Sequence, residues 1–180
     1  MYAFKNLILL FILSSLLACG IKKKSQEEIE KNWKTFETNE FSVKYPPSWI
    51  VNESGYMGTR FLIIAKQTSI RDYYQENVSL IKKEVHDSIN LEQYVQLSLD
   101  SIKNVSNEFQ LVESQFQTNN DKTYYKVIFN GQEGINNITY DKYYQLKNNM
   151  LYILTFSGKT IELTRYQPLG EGIMNSFTLK

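Results

Sequence analysis

The sequence predicts an α+β fold: an antiparallel β-sheet flanked by helices, an α/β/α sandwich. Three observations predict it. Segments with strand alternation occupy both halves of the chain, and one long amphipathic stretch over 91–105 separates them. Turn residues then recur at spacings too short for the crossovers that a parallel sheet needs. Strands, a helix, more strands and a terminal helix make α+β, not the strict βαβ alternation of α/β proteins.

The elements follow in chain order. The segment 41–45 alternates apolar and polar residues with the strand period. Pro46 and Pro47 interrupt it and 49–51 resumes, so two strands are expected around a Pro-Pro turn. Gly55 and Gly58 mark the next turn, 61–65 reads as a buried strand, and 77–85 alternates through Val78 and Leu80. Asn90 then stands as an N-cap with Gln93 three residues on, a variant of the capping box. Leu91, Val95, Leu99 and Ile102 recur at helical spacing, with Glu92, Gln96, Asp100 and Lys103 on the other face.

Extended segments follow at 109–117, 123–130, 138–146 and 150–156. Asn119 to Asp121, Gly131 to Gly134, and the pair Asn148 and Asn149 separate them as hairpin turns. Ile161, Leu163 and Tyr166 suggest a helical turn or two, and Pro168 can open a second short helix. Leu169, Ile173 and Met174 would face inward, with Phe177 closing onto the sheet; Gly170 and Gly172 weaken that helix.

The N-terminus carries a different signal. Residues 1–18 read as a leader: Lys5 gives a positive start, 7–13 is an unbroken apolar run, and Ser14, Ser15 and Ala18 bring small residues toward the end. The apolar run falls short of the ~20 residues that span a bilayer. Leu16, Leu17, Ala18 and Cys19 resemble a bacterial lipobox, although Leu17 is bulkier than usual. That resemblance implies cleavage between Ala18 and Cys19, diacylation of the thiol with palmitate-type chains, and acylation of the new amine. The alternatives are an ordinary signal peptide with a chance cysteine, or an N-terminal membrane helix. The chain has a single Cys, placed where this chemistry needs it. An exported thiol without a partner would otherwise be an oxidation liability.

Residues 19–32 read as the lipidated cysteine and a polar tether, and 33–180 as the globular domain. The 20 Lys and Arg residues against 19 Asp and Glu give a net charge of +1, and loss of the leader removes Lys5 alone among them. The mature side chains therefore sum to zero, and membrane residence would rest on lipid, with Lys22, Lys23 and Lys24 adding a local contact to anionic headgroups. Gly20 stands where some bacteria use Asp to retain a lipoprotein at the inner membrane. This favours the outer membrane where the cell has one, with the domain in the periplasm or at the cell surface.

Phe41, Val43, Tyr45, Pro46 and Trp49 match the pattern Phe-x-Ile/Val-x-Tyr-Pro-x-x-Trp and so resemble the PsbP-like superfamily, which includes DcrB-type bacterial lipoproteins. The helix after the fourth strand, the strands around Tyr125 and Tyr152, and the closing Ile173 to Phe177 fall in the same order over residues 36–180. The resemblance implies one antiparallel sheet between helices and a binding or accessory role. It supplies no shared catalytic residue set.

Composition narrows the chemistry further. Balanced charge excludes a basic nucleic-acid binder, and the single Cys and single His exclude a disulfide framework and a multi-histidine metal centre. His86 lies beside Glu84 and Asp87 with no nucleophile elbow nearby, so a surface or edge histidine is the preferred reading. Asp72, Glu76, Asp87, Glu92 and Asp100 show no calcium-loop spacing and read as solvated surface charge. Tyrosines number 13, with adjacent pairs at 73–74, 124–125 and 143–144; in a strand one of each pair can pack while the other faces out, but with helices over both sheet faces most of these rings read as core. Arg71, Tyr73 and Tyr74 lie in a loop-like stretch and are the candidates for surface binding.

The expected function is that of a cell-envelope lipoprotein with a non-catalytic binding or accessory domain, without metal or cofactor. Its expected partners are a membrane, reached through covalent lipid, and an envelope protein, but no nucleic acid. The alternative is a carrier of a small apolar ligand or lipid in a pocket between sheet and helix; a hydrolase ranks third.

Overall fold

The computed structural model describes residues 31–106, 108–119 and 122–180. The leader 1–18, Cys19 and the tether as far as residue 30 lie outside the described residues, as do Asn120 and Asp121 of an expected turn.

The antiparallel sheet flanked by helices is present, and a small second sheet joins it. The main sheet has seven strands: β3 (Ile50–Asn52), β4 (Thr59–Ile64), β5 (Asn77–Glu84), β6 (Gln110–Asn119), β7 (Lys122–Glu133), β8 (Asn136–Lys147) and β9 (Met150–Lys159). Their spatial order is β3-β4-β5-β9-β8-β7-β6, with antiparallel pairing throughout. The three-stranded sheet has the order β1-β2-β10 and is built from β1 (Lys34–Glu37), β2 (Phe41–Tyr45) and β10 (Thr178–Leu179). The strands on either side of the Pro-Pro turn therefore belong to different sheets. The turn is closed by Trp49 N–H donating to the Pro46 carbonyl at 3.0 Å. It sends the Trp49 ring back into the core, where it meets Tyr166 at 6.3 Å between centroids.

Helix α1 (Leu91–Val105) starts at Asn90, whose Oδ1 accepts from the backbone N–H groups of Glu92 at 2.9 Å and Gln93 at 3.4 Å. Capping of this kind satisfies donors that the first turn leaves without partners. Val95 and Leu99 bury the apolar stripe of α1 against Val127 of β7, Tyr144 of β8 and Leu151 of β9.

Helix α2 (Leu163–Ser176) and the small sheet cover the opposite face, burying Phe41, Phe61, Leu80, Phe156 and Ile173. The sequence suggested two short helical pieces with a start at Pro168. Instead one helix, entered through a short 3-10 turn at Thr160–Glu162, runs through that proline. Pro168 removes one backbone donor, but Tyr166, Ile173 and Met174 are all buried on the same side. Each such side chain contributes roughly 1.5–3 kcal/mol, enough to hold a continuous helix in place. Lys122 fastens the far end of α2, its Nζ donating to the carbonyls of Phe177 at 2.7 Å and Asn175 at 3.3 Å. A cation suits the negative end of a helix.

Tight hairpins join β7 to β8 and β8 to β9. Asn148 and Asn149 both have left-handed backbones, with φ of 51° and 58°, which is the primed turn that matches strand twist.

Candidate functional site

The two faces of the main sheet are covered unequally. A helix is about 10–12 Å across and strands lie ~4.8 Å apart, so one helix shields two or three strands. On its face α1 lies over β7, β8 and part of β9. Beside its C-terminal end, a groove of about 580 Å³ opens over β4, β5, β9 and β8.

Strand register dictates the floor of this groove. Ser79 of β5 pairs with Thr155 of β9, which pairs with Lys142 of β8, so one polar row crosses the sheet. The row beside it holds Asn77, Ser157 and Tyr140. One step the other way, the same face presents Ile81, Ile153 and Tyr144. These rows follow from the alternation of side chains along each strand. The face thus changes from apolar to polar where the helix stops covering it.

Lys142 is half-buried in the floor, and its Nζ makes no hydrogen bond or ion pair among the described residues. Burial pushes its ammonium down to about 8. Tyr140 is fixed by stacking on Phe129, with ring centroids 4.7 Å apart, and by donating its hydroxyl to Glu133. Burial, followed by that carboxylate, raises the Tyr140 phenol above its ordinary range. Tyr74 lines the groove; burial pushes its phenol up to about 12 against the opposing pull of the Ser157 hydroxyl.

The rim is apolar. Gly55, Met57 and Gly58 have φ of 73°, 51° and 76°, and this left-handed turn holds Tyr56 and Met57 over the groove. Met57 is 81% exposed, and a side chain larger than glycine rarely adopts such a backbone. Chemically the arrangement offers hydroxyl and amide donors around one cation, with apolar surface beside them. It can hold an anion.

No family model matches the chain, and no curated protein matches its sequence. Solved structures do. The solution structure of PsbP (CyanoP) from Synechocystis sp. PCC 6803 superposes with a TM-score of 0.59 at 13% identity, over 82% of this chain and 92% of that one. The chain has the PsbP-like fold. LpqN, described as involved in cell envelope biogenesis of Mycobacterium tuberculosis, matches at TM-score 0.59 and 12% identity over 89% of this chain and 99% of that one. The Ran-binding protein Mog1p of Saccharomyces cerevisiae matches at 0.56 and 10%, over 82% and 95%.

Within this PsbP-like domain the surface candidates separate. Arg71 and Tyr73 face solvent, Tyr73 being 84% exposed, whereas Tyr74 is half-buried and belongs to the groove. The segment carrying them is pinned by Asp72, which accepts from Thr68 N–H at 3.1 Å and Lys159 Nζ at 3.0 Å. The Thr68 amide and then Lys159 hold the Asp72 carboxyl below its usual value. His86 is exposed, 2.9 Å from the Ser88 hydroxyl.

The reading of the carboxylates as solvated needs correction at Asp72, whose side chain is 7% exposed and paired with Lys159, and at Glu76, which is 1% exposed; burial raises the Glu76 carboxyl. Its place at the entry to β5, under α2, encloses it, and no local sequence pattern reports that. Among the described residues no group of His, Cys, Asp or Glu is placed to hold a metal ion.

Sequence reasoning missed Lys142, Ser79 and Thr155. The available signal was a polar residue on the inward face of an otherwise apolar strand, as with Thr155 and Ser157 in β9. The second missed feature lies on the opposite face. Asp141, 1% exposed, stands 3.6 Å from Lys126 Nζ, which also approaches Glu113 at 3.9 Å and Glu171 at 3.8 Å.

Proposed function

We propose that this chain is a cell-envelope lipoprotein, held to a membrane by acyl chains on Cys19, whose PsbP-like domain binds a ligand without transforming it. The observation that carries the binding role is the groove beside α1. Its volume of about 580 Å³ falls within the ~300–1,000 Å³ range of small-molecule sites, and its apolar rim with a few convergent polar groups has their usual make-up. Arg71 and Tyr73, exposed on the segment that carries Tyr74, extend the contact surface. The fold likeness to LpqN supports an envelope role.

The tether reading rests on the lipobox-like residues 16–19, with 1–18 removed, 19–32 as spacer and 33–180 as the domain. Two or more acyl chains give stable anchoring where one gives marginal binding. Gly20 favours the outer membrane.

Two measurements test these parts separately. Intact-mass analysis of the native product should show residues 1–18 removed and acyl chains on Cys19; an unmodified cysteine or a retained leader would remove the anchor. A benzophenone amino acid at Tyr56, irradiated in intact cells, should give adducts that the same probe at Ile161 does not, since Ile161 is 90% exposed and lies outside the groove lining. Equal yields at both positions would defeat the groove reading.

A second reading is favoured by β6. Among the described residues this edge strand pairs with β7 alone, and its Leu111, Val112 and Phe116 are 47%, 59% and 50% exposed. Such an edge can receive a strand from a protein partner. A probe at Val112 that captured one defined envelope protein, with none at Tyr56, would favour it.

A further inference from the structure

Lys142 is the observation that the groove alone does not explain. A half-buried ammonium usually has a carboxylate beside it, because an uncompensated charge away from water is costly. The other half-buried or buried lysines of this sheet are partnered: Lys126 has Glu113, Asp141 and Glu171, Lys159 has Asp72, Lys82 has Glu40, and Lys122 donates to the carbonyls of Asn175 and Phe177. Lys142 occupies the interior strand β8 on the groove side, with Thr155 next to it on β9, yet among the described residues no carboxylate reaches it. The charged and titratable groups lining the same groove are Glu133, which accepts the Tyr140 hydroxyl, and the phenols of Tyr56, Tyr74 and Tyr140.

We infer that Lys142 anchors the head of a carboxylate amphiphile, whose apolar chain lies along Tyr56, Met57, Leu62 and Ile81. This rests on the groove being the binding surface and names what it takes. One ammonium balances one negative charge, so a monoanionic carboxylate is fully paired by Lys142, whereas a phosphate dianion would add an unbalanced charge in a groove that already holds Glu133. In the same row Thr155 stands next to Lys142 with Ser79 one strand beyond it, and these hydroxyls donate to the second carboxylate oxygen. The rim side chains supply apolar contact: Tyr56 and Met57 are 61% and 81% exposed without a ligand, surface that a chain would cover. Burial, which pushes Lys142 down to about 8, is the cost that an incoming carboxylate relieves.

The test uses the native lipidated protein in phospholipid nanodiscs, with heats from empty nanodiscs subtracted. Octanoate, octanol and octyl phosphate are titrated by calorimetry. The expected result is saturable octanoate binding with octanol and octyl phosphate each at least ~10-fold weaker, a factor equivalent to about 1.4 kcal/mol. Lys142→Gln should bring octanoate down to the level of octanol, while Lys142→Arg should keep it within about threefold. An unfolding midpoint for each variant guards against loss of fold, and Thr155→Val, which leaves the lysine in place, should weaken octanoate by a smaller factor of about three. Octanol binding as tightly as octanoate, or indifference to Lys142→Gln, overturns the inference and leaves the groove as a binding surface. Tighter binding of octyl phosphate overturns the choice of a carboxylate. Failure of all three ligands overturns the inference, and the groove reading itself falls only with adduct yields at Tyr56 no higher than at Ile161.

Discussion

At the scale of single residues, Asp141 ties the stability of the fold to pH. Among the described residues neither of its carboxylate oxygens has a hydrogen-bond partner, and Lys126 Nζ at 3.6 Å is too distant to donate a good one. Burial pushes the carboxyl up to about 7; Lys126 opposes this, and Glu171 and Glu113 add to it. In the unfolded chain the same group titrates near its ordinary ~3.9. The folded state therefore keeps its proton over a range where the unfolded state has lost it. The resulting stability is fully present below pH ~4 and is lost as pH rises to about 7, after which this group adds no further change. The steepest slope from one group is about 1.4 kcal/mol per pH unit. Asp141→Asn should flatten this part of the stability profile, seen as urea midpoints that fall less between pH 4 and 7 than in the parent, the buried Glu76 carboxyl supplying the remaining slope. An unchanged slope would show that Asp141 is not the group responsible.

At the scale of elements, alternation and capping made most strands and α1 legible, because each is encoded by neighbours in sequence. Phe41, Val43 and Trp49 are 1%, 0% and 4% exposed, so the opening motif reads directly as core. β1 was not legible: its four residues include only Phe36 as an apolar anchor, too few to show a period. Pairing was not legible either, since alternation states which face a residue takes and not which strand lies beside it. That is why β2 and β3 were not assigned to separate sheets. Helix α2 shows the same limit. Gly170 weakens it by local propensity, yet a Cβ there would stand 2.3 Å from Cδ2 of Phe156, a ring that is 0% exposed. The glycine is present because helix and sheet approach closely. Gly170→Ala should therefore destabilise the domain by about 1–3 kcal/mol through overpacking, exceeding the ~1 kcal/mol that alanine returns in helix propensity. A melting temperature equal to or above that of the parent would contradict this packing account.

At the scale of the whole molecule, the site follows from unequal cover. Among the described residues the α2 face has a helix and a three-stranded sheet over it and the α1 face a helix, against the same seven strands. The remaining floor is polar, as suits a surface that no described element covers. This was hidden in the sequence: Ser79 looks like any outward residue of a half-solvated strand until the register places Thr155 and Lys142 in line with it. Neighbouring residues of β5 should then answer opposite questions. Leu80 is 0% exposed and faces α2, so Leu80→Ser puts a hydroxyl into the core and removes apolar volume. It should cost about 2–5 kcal/mol, enough to unfold a marginal domain. Ser79 faces open space, so Ser79→Leu should leave the unfolding midpoint within about 0.5 kcal/mol of the parent. The larger side chain would still occupy the floor beside Lys142, lowering both octanoate affinity and adduct yield at Tyr56. If Ser79→Leu instead unfolded the domain, or bound octanoate as the parent does, the open polar floor would not be the binding surface.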